Sequence, residues 1–171
     1  MTAIPGPRDL SSLATWPSKG NRRKLEALWL EALEGRGTEG PVAEPPDGSP
    51  ESLGKAAGQF NSGLFWECHE TLEEVWLETP YPLRFFYHAI IKTAVGFHHM
   101  ARHNLHGAET KLYDGVRLLR LFQPYFLGVR TDRLLGDGSE WLERLGRRRA
   151  GSVSWAELDA IPRPVIRTAP S

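Results

Sequence analysis

The 171-residue sequence has no surplus of charge of either sign: 21 Lys and Arg balance 21 Asp and Glu. A dedicated nucleic-acid binder needs excess positive charge to displace phosphate counterions, so the balance argues against that class. The Arg147–Arg149 run is local and reads as a solvated surface patch. Cysteine is nearly absent. Cys68 stands alone, cannot form an internal disulfide, and suits a reducing cytosol. No apolar run reaches the roughly 20 residues that a membrane span needs. The best candidate, FFYHAIIKTAVGFHHM, is broken by His88, Lys92, His98 and His99. The opening MTAIPGPRDL lacks a basic segment followed by an apolar one, so no secretory signal is visible and a cytoplasmic protein is expected. Sustained alternation of β-branched residues is missing too, which predicts no sheet. No glycine-rich phosphate loop and no G-x-S-x-G elbow occur.

What is present is ordinary globular composition, 40% hydrophobic and 25% charged, with helical periodicity. Residues 1–50 read as an N-terminal extension: an extended arm, an amphipathic helix over 21–34 capped by Asn21 and closed by Gly35, and a Pro- and Gly-rich linker. Residues 51–171 read as the main domain. A short apolar face (Leu53, Ala56, Ala57, Phe60) precedes Asn61-Ser62-Gly63 turn chemistry. Helices are then predicted over 64–78, ended by Pro80 and Pro82, over 83–103, and over 107–122, ended by Pro124. A short helix over 139–145, a Ser154–Glu157 capping box and an extended PRPVIRTAP strap complete the chain. Short connections imply antiparallel neighbours. The expected fold is all-α: an antiparallel bundle of about four core helices, an N-terminal helix and a helical or extended C-terminal strap.

All six histidines fall between positions 69 and 106. In FWECHETLEEVW, His69 and Glu73 lie one helical turn apart at the border of an apolar face that contains Cys68, Leu72 and Trp76. Glu70 points about a quarter-turn away. Residues 51–80 hold six Glu and one Lys, a net charge of −5, whereas residues 81–106 hold Arg84, Lys92 and Arg102 and no carboxylate. On the second helix His88, Lys92, Val95 and His99 share a narrow arc. Antiparallel packing would bring His69, Glu73 and His99 to a common partner, and two imidazoles with a carboxylate suit a divalent metal. H-E-x-x-E lacks the second histidine of the zinc-peptidase motif. A di-iron bundle would need carboxylates on the second helix, and there are none. Cys68 reads as core packing rather than as a nucleophile.

The stretches FNSGLFWECHETLEEVW and FFYHAIIKTAVGFHHMARHNLHGA resemble a bacterial and archaeal family, domain of unknown function 309, over about residues 53–127. Its H-x-x-x-E-x-x-W hallmark is matched by His69, Glu73 and Trp76; Phe60, Asn61, Gly63, His99, Asn104, Gly107 and Ala108 match further features. The resemblance implies a helical bundle and a metal-binding role for the motif, but no reaction. Lys92 and His88 stand where Gln is usual in the family, and His103 where Gly is frequent; Lys92 would place a positive charge beside the site.

Two readings follow. In the first, His69, Glu73 and His99 hold a divalent metal whose bound water is activated for hydrolysis, with Trp76, His88, Lys92, His98 and Asn104 in support and Glu70 as the nearest spare carboxylate for a base. In the second, the chain is a non-enzymatic interaction or oligomerisation module. Its His69–Glu73–Trp76 network is then structural, and Trp16, Trp29 and Trp155 cover a peptide groove or a homo-oligomer face.

Overall fold

The computed structural model describes residues 19–35 and 42–168. The extended arm before residue 19, Trp16 included, lies outside the described residues. Helices run over Lys19–Gly35 (α1), Glu51–Asn61 (α2), Phe65–Glu78 (α3), Arg84–Ala101 (α4), Leu105–Leu119 (α5), Thr131–Arg149 (α6) and Trp155–Asp159 (α7), with a 3-10 turn at Arg120–Phe122. Among the described residues there is no strand, only isolated bridges joining Phe126 to Val129 and Val129 to Thr168. The fold is an all-α bundle in which α4 packs against both α3 and α5, and α5 against α6. No described helix is long and apolar enough to cross a membrane.

The apolar residues of α4 surround almost its whole circumference, from Phe85 and Phe86 to Phe97 and Met100, all buried. A helix apolar all round belongs in the middle of a bundle, and α4 is the central rod. Phe97 meets Phe60 of α2, Phe65 of α3 and Trp141 of α6 with ring centroids 5.5–6.0 Å apart, so one side chain ties four helices together. Helices α4 and α5 come close together at Gly115, where a Cβ would collide with the Thr93 hydroxyl and lie 2.9 Å from the Thr93 backbone nitrogen.

Three sequence expectations change. Helix α1 begins at Lys19, two residues before the expected Asn21 cap, and docks on the bundle through Trp29, which is 2% exposed, and through Glu26, which accepts from the Tyr81 hydroxyl at 2.7 Å. Helix α6 has nineteen residues rather than the seven expected over 139–145. Its Gly138 is not a turn residue: the backbone there presses on Val116 of α5, and a Cβ would come 2.8 Å from that side chain. Trp29 and Trp155 pack within their own chain instead of presenting a free face. Trp155 stacks on His103 at 4.6 Å beneath the Arg148 guanidinium. The Ser154–Glu157 capping box forms as expected, and Cys68 is fully buried in the core.

Candidate functional site

At 100° per residue, positions 69, 73 and 76 of α3 return to one side of the helix, at the edge of the stripe that buries Cys68 and Leu72. Across from them α4 presents His88, Ile91, Lys92, Val95 and His99, at the i, i+3, i+4, i+7 and i+11 positions of one face. Together with Trp66 of α3 and Lys111 of α5 these side chains line a cleft of about 400 Å³. His69, Glu73, Trp76, His88, Lys92 and His99, all named from the sequence, are thus brought to one place.

Within it, His69 Nε2 lies 3.7 Å from Glu73 Oε2, an ion-pair contact too long for a hydrogen bond. Glu73 is half exposed. The other nitrogen of His69, Nδ1, is buried with no hydrogen-bond partner. Trp66 contacts the rings of both His69 and His98, at 4.6 and 4.9 Å, and Trp76 contacts that of His88 at 5.1 Å. The Arg84 guanidinium sits over Trp76 while donating to the carbonyls of Thr79 and Leu77, closing the C-terminal end of α3.

His99 is held from behind. Gly107 N–H donates to Asn104 Oδ1 at 3.0 Å, which turns the Asn104 Nδ2 toward His99 Nδ1 at 3.2 Å. His99 Nδ1 therefore accepts, and the neutral ring carries its proton on Nε2. A Cβ on Gly107 would lie 2.8 Å from His99 Cγ, so the backbone must come this close for the ring to take its place.

Burial, and next the positive charges of Lys92, Lys111 and Arg84, push His88 down to about 3, so it is uncharged at neutral pH. His99 is also lowered, by desolvation first and then by its neighbours His98, Lys111 and Arg102. Lys92 is lowered by burial and by Lys111, against the opposing pull of Asp114, whose carboxylate is 3.7 Å from Nζ. Asp114 belongs to a smaller adjoining cleft against α1, which His88 and Lys92 also line.

Several site expectations need correction. Glu70 faces a separate groove with Glu51, Lys55 and Glu74, on another side of α3, and cannot act as base in this cleft. His98 supports the Trp66 ring rather than lining the cleft. His69, Glu73 and His99 share the cleft, yet among the described residues no three His, Cys, Asp or Glu side chains gather closely enough to hold a metal ion. The donor set does not fit a cation. His99 Nε2 carries a proton, and two lysines face the same space. Trp66, Lys111 and Asp114 were not anticipated. Lys111 stands beside the apolar α5 stripe at Leu112, and only the packing of α5 on α4 turns it into the cleft.

No curated protein matches the chain. Residues 53–110 match the family described as "Domain of unknown function (DUF309)". Nine of the ten residues that line the cleft fall within that stretch, and Lys111 follows it directly. Over those residues, the chain is similar to the domain of unknown function 309 family.

Proposed function

We propose that the cleft between α3, α4 and α5 binds a small anionic ligand with an apolar or aromatic body. The observation that carries this reading is the pairing of Lys92 with Lys111 over walls of Trp66, Trp76, Ile91 and Val95, with Glu73 the one carboxylate among the described lining residues. The chain has five lysines against sixteen arginines, and two of the five line this cleft. His88, uncharged at neutral pH, and His99, whose protonated form is disfavoured by desolvation, offer polar contacts with little further positive charge. A pocket of this kind, mostly apolar with a few convergent polar groups, is the usual form of a small-molecule site.

Trp66 and Trp76 provide the readout. Benzoate should change tryptophan fluorescence saturably, and benzylamine of similar shape should not. Replacing Lys111 with Met removes a charge-assisted contact worth about 1.5–3 kcal/mol, so benzoate affinity should fall at least about tenfold. Saturable binding of one manganese or zinc ion per chain, abolished in His69→Ala, would overturn the anionic reading and restore the metal centre expected from the sequence.

A further inference from the structure

Lys92 is an unusual lysine. Its side chain is about four-fifths buried at the junction of two clefts, one turn of α4 beyond His88, and among the described residues its single ion-pair contact is the long one to Asp114. Lys111 approaches from α5 on the cleft side, near enough to oppose a second positive charge. A lysine crowded by another cation and shielded from water is the arrangement that frees an amine lone pair at neutral pH.

We propose that Lys92 is a nucleophile in this cleft, its Nζ condensing with the keto group of a small 2-oxo acid whose carboxylate rests on Lys111. The inference depends on the anion-binding reading of the same cleft. A 2-oxo acid places a carbonyl carbon directly beside a carboxylate, as the two amines stand beside one another.

The uncharged Nζ attacks the carbonyl carbon. A C–N bond forms as the C–O π pair moves onto oxygen, which takes up a proton while nitrogen loses one. The hydroxyl of the resulting carbinolamine leaves as water with a further proton, and a C=N bond remains on Lys92. One water is released and nothing is oxidised or reduced, so no further reactant is required. His99 lines the cleft with a proton on Nε2 and can hydrogen-bond the oxygen of the carbinolamine. The lowered affinity of Lys92 for protons raises the share of reactive amine at neutral pH.

Pyruvate is the probe. The full chain is incubated with pyruvate and then with sodium borohydride, and intact mass and peptide mapping locate any adduct. The expected result is one reduced carboxyethyl group per chain, on Lys92. Lys92→Arg removes the condensable amine and should lose the adduct. Lys111→Met should lower both the adduct and pyruvate-induced tryptophan quenching, with binding weakened about tenfold or more. Circular dichroism melting confirms that each variant is folded. Quenching by pyruvate without an adduct on Lys92 would overturn the imine and leave the anion site standing. Neither quenching nor adduct would overturn both. Adducts spread evenly over Lys55, Lys111 and Lys92 would show ordinary surface chemistry and overturn the assignment.

Discussion

Asn104 and His99 form one unit: the amide that caps α5 through Gly107 N–H also donates to His99 Nδ1 at 3.2 Å. The cap of one helix thereby fixes the tautomer and orientation of a ring at the end of another. Gly107→Ala would place a methyl group 2.8 Å from that ring and displace it. In nitrogen-15 spectra of the imidazoles, His99 should leave the pure Nε2–H tautomer in this variant, and its pKa should rise back toward 6.5 as desolvation is relieved. Asn104→Ala should release the ring as well and cost about 1 kcal/mol through the lost cap. An unaltered His99 tautomer and pKa in both variants would refute the coupling.

His88 makes the bundle sensitive to acid. The folded protein keeps it neutral down to about 3, while the unfolded chain takes up a proton near 6.5. Its contribution to stability is complete above pH 6.5 and is lost as pH falls toward 3, because only the unfolded state binds the proton in that interval. The loss is at most about 1.4 kcal/mol per pH unit. The charges that face it, Lys92, Lys111 and Arg84, all act in the same direction. Urea unfolding at pH 7 and pH 4.5 should therefore show a smaller drop in stability for His88→Gln than for the native chain. Carboxylates titrate in both proteins and cancel in the comparison. Equal drops would mean that the imidazole is charged or well hydrated in the fold.

Glycines in this chain fall into two kinds, with opposite expected responses to alanine. At Gly115 a methyl group would meet Thr93 where α4 and α5 cross, and Gly115→Ala should cost about 1–3 kcal/mol through overpacking. At Gly136, inside α6, a methyl group would meet nothing within 4 Å. Gly136→Ala should stabilise by about 0.5–1 kcal/mol, since alanine loses less backbone entropy in a helix. Thermal unfolding of the two variants should move the transition in opposite directions; a shift of the same sign would refute the crossing geometry.

These glycines also show why parts of the fold were legible from sequence and parts were not. Helices α3 and α4 were readable because their apolar faces are periodic and because Pro80 and Pro82 separate them. Helix α6 was shortened because Gly136, Asp137 and Gly138 have the composition of a turn, and only contact with Val116 explains a glycine at 138. At the site, the motif side of α3 was found through its spacing. The quarter-turn between His69 and Glu70 is enough to place Glu70 in another groove, which only the packing of α2 beside α3 reveals. His98 and His99 carry the same chemistry one position apart, and the packing of α5 decides that His99 lines the cleft. His103 adopts φ 55°, a left-handed conformation that explains why glycine is frequent there in the family it resembles.

The C-terminal strap is held by a side chain that imitates a strand. Asn61, at the end of α2, donates from Nδ2 to the Ile166 carbonyl at 2.9 Å and accepts from the Ile166 N–H at 2.6 Å, pairing with the backbone as an extended neighbour would. Beside it, Arg130 N–H donates to the Arg167 carbonyl at 2.7 Å, and Ile166 itself is 3% exposed. His103 supplies a second tie, bonded to Asp159 at 2.7 Å and stacked on Trp155. Asn61→Ala leaves the Ile166 amide and carbonyl unpaired at a partly buried position, a loss of about 1–3 kcal/mol if the strap stays docked. The cheaper response is local release, because the His103 tie lies upstream and the bundle core is untouched. Hydrogen exchange should then accelerate at Ile166 and Arg167 in Asn61→Ala while the amides of α4 keep their native protection. Uniform acceleration across α4 as well would show that the strap is integral to the core, and unchanged exchange at Ile166 would show that Asn61 does not hold it.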